Sequence, residues 1–392
     1  MPLLNEITNE IKNAIVNIKI IGIGGGGNNV VKRIADISNL DLDLIAVNTD
    51  IKQLKSLNSE KISKIQIGAS LTKGLGCGGN INLARQAAEA DYDTLKKALA
   101  GADMVFLTAG LGAGTGTGAL PIIAKIAHDL GILSVGVVTV PFKFEGSRKQ
   151  KAAEAAIAEI APYLDALIAV HNDNLLKLKS NSKLTLINAF RMADNVLLQG
   201  IRCVSELILT VGIINVDFAD VKSIFQQSDH PDALLGIGES SEDAVEAVQQ
   251  AVNSPLIERD LAGARGIIIN LSGNKDLRLY DVSEATKYIY EHTNPDVNII
   301  LGTVVNDELG DKIRATIIAT DFADSVPLSE KPVEAAAKTI DKKPAAPQPK
   351  KPADEDLNLP DFMKPKTENK SNNFSAFSFF NFNNKNNTRY LC

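Results

Sequence analysis

Gly110-Leu111-Gly112-Ala113-Gly114-Thr115-Gly116-Thr117-Gly118 lies between an apolar run, Asp103–Thr108, and a helical pattern, Ala119–Leu130. A glycine-dense turn between a strand and a helix aims several backbone N–H groups and a helix N-terminus at one point, which makes an anion site. Two similar turns precede it. Gly22-Ile23-Gly24-Gly25-Gly26-Gly27-Asn28-Asn29 closes the apolar run Ile18–Ile23, with a helix expected from about Asn28. Gly74-Leu75-Gly76-Cys77-Gly78-Gly79-Asn80 follows a strand expected at Lys64–Ile67. In a parallel sheet the loops after successive strands emerge on one edge, where ligands bind. Three such loops predict an extended phosphate chain gripped mainly by backbone.

The surrounding pattern supports a parallel sheet. Further strands are expected at Leu44–Val47, Ile132–Val140 and Ala166–Val170, and helices at Ile81–Ala100 and Lys149–Ala161. Continuous apolar strands alternating with helices imply a sheet covered on both faces. Residues 183–210 then read as one long helix, with Leu184, Ile187, Leu197, Ile201, Val204 and Ile208 recurring at helical steps around Asp194. Strands near Ala233–Ile237, Gly266–Leu271, Asn298–Val305 and Ile313–Ala319, with helices Glu242–Val252 and Ser283–Glu291, predict a second α/β domain.

The domain plan is therefore a polar lead-in at 1–16, a nucleotide-binding domain at 17–182, a central helix and loop at 183–220, and a second α/β domain at 221–321. A Pro-, Ala- and Lys-rich linker, 322–353, follows. Its composition cannot build a core and predicts disorder. A short mixed peptide, 354–364, and a Phe/Asn-rich tail, 365–392, end the chain.

The chain has 392 residues, 45% apolar and 22% charged, which excludes a wholly disordered protein. Net charge is −6 overall, and residues 331–392 carry +4, so the rest carries −10. A body that acidic is a poor partner for nucleic acid. No run of 18 apolar residues predicts a membrane span, and the N-terminus has no secretory pattern. Cys77, Cys203 and Cys392 fit neither a metal spacing nor a disulfide framework, which points to a reducing cytoplasm. His128, His171, His230 and His292 form no ligand pair, so no metal-binding residues are expected.

Gly22, Gly24 and Gly27 also satisfy G-x-G-x-x-G, so a dinucleotide-binding oxidoreductase is one alternative. That chemistry needs a single glycine loop, and residues 221–320 offer no His–Asp or His–Arg grouping for hydride transfer. No G-x-x-x-x-G-K-[ST] is present, which excludes a P-loop protein.

Gly112–Gly118 is one residue from the tubulin-type G-G-G-T-G-T-G loop. Together with Gly22–Asn29, Asn48-Thr49-Asp50, Pro141-Phe142-Lys143-Phe144-Glu145-Gly146 and Asn215-Val216-Asp217-Phe218-Ala219-Asp220, it makes the chain closely resemble the FtsZ family of bacterial tubulin-like cell-division GTPases. The resemblance runs from about Asn17 to Asp321. It implies a tubulin-like GTPase fold that binds GTP or GDP with Mg²⁺, polymerises head to tail and forms the division ring at mid-cell in the cytoplasm.

Carried over residue by residue, the resemblance puts the phosphates on Gly25, Gly26, Gly27, Asn28 and Asn29, with Gly78, Gly79, Gly114, Thr115 and Gly116. Asn48 would reach the ribose or phosphates, or else is a turn-forming Asn. Glu145 would meet the ribose, or else is an acid at a helix N-terminus. Lys149 stands where the family usually has Arg, and the neighbouring Arg148 is a possible substitute. Asn172 and Asp194 would read the base, since a carboxylate accepts from both guanine donors and adenine lacks that pair. Phe190 shares a helical face with Asp194 and would stack on the base or pack in the core.

Asn215, Asp217 and Asp220 would be catalytic. Within one chain the two carboxylates sit at the far end of the long helix from the phosphate edge, so they make sense in the next subunit's site, orienting water beside Mg²⁺. Such a contact is heterologous and generates a filament. A helix-capping pair of acids is the plainer reading. Asp354–Lys364 resembles the family's peptide for membrane adaptors such as FtsA. Ala113 replaces a loop glycine and would be strained if that position needs φ > 0. With Lys149, it raises the alternative of a guanine-nucleotide-bound polymerising scaffold with weak hydrolysis.

Overall fold

The structure, a computed structural model, describes residues 16–37, 40, 42–177, 185–210 and 212–322. The expected lead-in lies almost wholly outside the described residues, as do the start of the long helix before Thr185, the linker, the peptide, the tail and Cys392.

Among the described residues, ten strands form one sheet in the order β3-β2-β1-β4-β5-β6-β7-β10-β8-β9. Strands β1 (Ile18–Ile23), β2 (Asp43–Asn48), β3 (Ile62–Gln66), β4 (Met104–Gly110), β5 (Leu133–Val140) and β6 (Ala166–His171) are all parallel. Every residue of β1 and β5 is buried, as expected of strands covered on both faces. The chain moves outward from β1 to β2 and β3, then returns to β4 on β1's other side. That reversal opens a crevice beyond the carboxyl ends of β1 and β4, and the loops leaving those two strands are the first and third glycine turns.

The sheet does not stop at the expected domain boundary. β7 (Asp232–Ser240) continues it by pairing with β6 at Leu167 and Ile168. Beyond β7 the pairing becomes mixed. β10 (Ile313–Phe322) is antiparallel to both β7 and β8 (Ala264–Gly273), and β9 (Asn298–Val305) runs parallel to β8 at the edge.

The long helix, Leu186–Leu209, explains this continuity. Its Leu197, Ile201, Val204 and Leu207 join one buried cluster with Ile20, Phe106 and Val137 of the parallel half and Ile268 and Ile318 of the mixed half. The helix Gly24–Ile37 packs into the same cluster. On the opposite face, the helices Ile81–Ala90, Thr115–Asp129 and Ser147–Ile160 close a second core around Ile21, Leu107 and Val138. Ala244–Val252 and Leu279–Glu291 close a third against β8 and β10.

One expected helix is two. Residues 81–100 divide at Asp91 into Ile81–Ala90 and Tyr92–Leu99. Asp91 takes a non-helical ψ of 24° while its Oδ2 accepts the Gly68 N–H at 2.6 Å. The side chain thereby serves a neighbouring turn instead of continuing the helix.

Candidate functional site

Glycine shapes the crevice by allowing backbones to touch. The first helix begins at Gly24, four residues earlier than expected, so the glycine run is its first turn rather than a loop. At Gly27 a Cβ would stand 2.2 Å from the Thr108 carbonyl oxygen, so only glycine lets this turn lie against β4. In the third loop the left-handed residue is Gly112, at φ 84°, and a Cβ there would be 2.8 Å from the Lys149 oxygen. Ala113 is exposed and is not in the left-handed region, so the strain considered for it is absent.

A polar clamp ties the loops together. Asn28 Nδ2 donates to the Gly22 oxygen at 2.7 Å, and Asn28 Oδ1 accepts from Asn48 Nδ2 at 2.7 Å. Asn48 Nδ2 also donates to Gln53 Oε1 at 2.9 Å, while Asn48 Oδ1 accepts the Asp50 N–H at 3.1 Å. Both asparagines are 2% exposed, and their side chains are occupied within the protein. Thr49 and Thr115 hydroxyls lie 2.8 Å apart, with Cys77 Sγ 3.3 Å from Thr115 Oγ1, which joins β2, the second glycine loop and the third.

The result is a cleft of about 390 Å³ lined by Gly25, Gly26, Asn48, Thr49, Asp50, Gln53, Gly76–Gly79, Gly110 and Ala113–Gly116. The helices Gly24–Ile37 and Thr115–Asp129 both start at it. Their dipoles and unpaired N–H groups suit a polyphosphate anion. An adjoining cleft of about 810 Å³ shares Gly78, Gly79, Ala113 and Gly114 and adds Arg148 and Lys149. Asn29 is exposed on the first turns of its helix.

Glu145, Asn172, Phe190 and Asp194 lie outside the lining of these two clefts. Glu145 accepts the Phe142 N–H at 3.1 Å and Lys149 Nζ at 3.0 Å. Phe142 is fully buried, stacks on Phe144 and meets the Phe190 ring edge-on at 5.5 Å, so Phe190, 40% exposed, is partly a packing residue. Asn172 follows β6; it is 4% exposed, and its Oδ1 has no partner. A buried, unpaired carbonyl is costly, and a ligand donor would satisfy it.

Asp194 sits 3.4 Å from Arg33 of the glycine-started helix, and Arg33 also donates to Asn195 Oδ1 at 3.1 Å. Burial pushes the Asp194 carboxyl up to about 6 although the Arg33 charge opposes this.

Asn215, Asp217 and Asp220 are exposed and lie beyond the other end of the 24-residue helix, about 36 Å of helix length. Asp217 occupies the N-cap position of the helix Phe218–Gln226, but its side chain makes no cap bond. Asn215 Oδ1 accepts the Gly212 N–H at 2.7 Å. Among the described residues, no cluster of three His, Cys, Asp or Glu side chains could hold a metal ion.

Sequence reasoning assigned no role to Gln53, Thr49, Cys77 or Arg33. Thr49 follows Asn48 directly, Cys77 sits inside the second glycine turn, and Arg33 lies four residues after Asn29 on a helix. Cys203, like Cys77, is buried and free, and burial pushes its thiol up.

Known proteins share this fold. The profile of the tubulin/FtsZ family GTPase domain matches residues 17–180, and that of the FtsZ family C-terminal domain matches 232–323. An empty FtsZ dimer from M. jannaschii is 36% identical with a TM-score of 0.75, covering 82% of this chain and 92% of that one. A single-residue mutant of that FtsZ gives 36% and 0.77, covering 82% and 96%. CetZ2 from Haloferax volcanii, a GTPγS-bound protofilament, is 22% identical with a TM-score of 0.64, covering 80% and 96%, and shares the fold. Two family profiles in order along one sheet, and a 36% identical relative matched over nearly its whole length, carry one conclusion: this chain belongs to the FtsZ family of tubulin-like GTPases.

Proposed function

We propose that the chain binds GTP in the glycine-built crevice, polymerises head to tail, and hydrolyses GTP when the next subunit's Asp217 and Asp220 dock on it. The observation that carries this reading is the pair of exposed carboxylates at the far end of the long helix. Neither has a side-chain partner among the described residues, and Asp217 caps nothing. Carboxylates without a local task fit a site completed by a second copy. There they would orient the attacking water and accept its proton. Glycine-loop N–H groups would hold the phosphates, and Asn28 and Asn48 would act mainly by fixing those loops. Asn172 and Asp194 would accept from guanine. Mg²⁺, held largely by the phosphates themselves, would neutralise charge on the β- and γ-oxygens.

In the cell, the filaments would form the cytoplasmic division ring at mid-cell, with Asp354–Lys364 recruiting a membrane adaptor of the FtsA kind. No described helix is long and apolar enough to cross a membrane. The alternative of a weakly hydrolysing scaffold rested on Ala113 and Lys149, and Ala113 now gives it no support. Sedimentation with GTP, GDP or ATP tests the reading. GTP alone should pellet the protein, and pelleting that ignores the base or the third phosphate would contradict it.

A further inference from the structure

Lys149 and Arg148 border the same cleft but are placed differently. Glu145 is held from two sides, with Oε1 on the Phe142 N–H and Oε2 on Lys149 Nζ at 3.0 Å. Glu145 ends a short turn and Lys149 lies four residues on, in the first turn of the helix Ser147–Ile160, and the glutamate side chain is only 16% exposed. The lysine backbone is packed as well, since Gly112 approaches the Lys149 oxygen too closely to admit a Cβ. An ammonium is a compact point charge, whereas a guanidinium fork spans two acceptors. The 3.0 Å ion pair draws Lys149 Nζ toward Glu145, so of the two cations on this cleft Arg148 is the one that no carboxylate among the described residues already holds.

Arg148 is exposed and has no hydrogen-bond or ion-pair partner among the described residues. It lines the wider cleft together with Gly78, Gly79, Ala113 and Gly114, the four residues shared with the narrower cleft where the two helix N-termini converge. A phosphate chain anchored on those N-termini would extend across the shared glycines toward Arg148. Resting on the guanine-nucleotide reading of this crevice, we propose that Arg148, rather than Lys149, is the cation that engages the γ-phosphate of GTP, and that Lys149 is a positioning residue that holds Glu145. Two parallel N–H···O bonds from Arg148 would match two oxygens of a terminal phosphate.

Equilibrium binding of GTP and of GDP to the full chain, at concentrations below polymerisation, tests this with Arg148→Gln, Arg148→Lys and Lys149→Gln. Urea midpoints would confirm that each variant is folded. Arg148→Gln should weaken GTP at least fivefold and GDP less than twofold, and Arg148→Lys should recover part of the loss. Lys149→Gln should weaken both nucleotides by the same factor, because it acts through Glu145. A GTP-selective loss in Lys149→Gln, or an Arg148→Gln variant that loses both nucleotides equally or neither, would overturn the assignment. A parent protein that binds neither nucleotide would overturn this inference together with the reading beneath it, whereas failure confined to the variants would overturn the inference alone.

Discussion

Asp194→Asn should separate stability from recognition. The Asp194 side chain is 17% exposed and faces Arg33 at 3.4 Å, yet burial raises its pKa from 3.8 to about 6. At 1.36 kcal/mol per pH unit, carrying the charge there costs the fold about 3 kcal/mol. The folded pKa is the higher one, so between pH 4 and 6 the folded chain keeps a proton that the unfolded chain has released. Stability from this group is therefore present below pH 4 and lost as the pH rises through 6. Asparagine keeps the shape without the charge. The variant should match the parent near pH 4 and become more stable toward pH 7, by up to about 3 kcal/mol in urea denaturation. GTP binding should move the other way, weakening by about 1–3 kcal/mol at pH 7 as guanine loses a charged acceptor. That deficit should shrink below pH 6, where the parent's own carboxyl is protonated. A stability difference that does not change with pH, or a variant that binds GTP as tightly as the parent at pH 7, would refute the reasoning.

Asn48→Ala would leave Asn28 Oδ1 without the donor it has at 2.7 Å, and should cost roughly 1–3 kcal/mol in urea along with nucleotide affinity. Gly27→Ala places a methyl 2.2 Å from the Thr108 oxygen and should destabilise by about 1–3 kcal/mol or more; an unchanged Tm would show that the first turn can move. Leu197→Ala, at a position 1% exposed between the two halves of the sheet, should cost about 2–5 kcal/mol in a single cooperative transition, and two separated transitions would show that the halves unfold independently. Truncation after Ala323 should leave GTP turnover intact and abolish adaptor binding, while truncation after Lys370 should preserve both; adaptor binding by the shorter form would place that site in the folded body.

Much of this architecture was legible because parallel strands are nearly pure apolar runs. The apolar run Ile18–Ile23 coincides with β1 to the residue, and the glycine turns mark the edge that carries the crevice. Side-chain tertiary bonds were not legible. Nothing local announces that Asp91 turns to serve Gly68, splitting a helix, or that Asn28 and Asn48 spend their amides on each other. Ala113 shows the same limit, since the residue needing φ > 0 was its neighbour Gly112. The joining of the two halves into one sheet rests on pairing at Leu167 and Ile168, too short to leave a pattern. The Arg33–Asp194 pair spans 161 positions and emerges only when the long helix crosses the glycine-started one.

The central claim is that one subunit's carboxylates complete another's site. Phosphate release from GTP, measured per subunit against protein concentration, tests it most directly. The account predicts turnover near zero in dilute protein and a steep rise once filaments form, with Asp217→Ala and Asp220→Ala each binding GTP normally but releasing phosphate roughly a hundredfold more slowly. Turnover per subunit that is constant down to the most dilute protein, or undiminished in both variants, would contradict it.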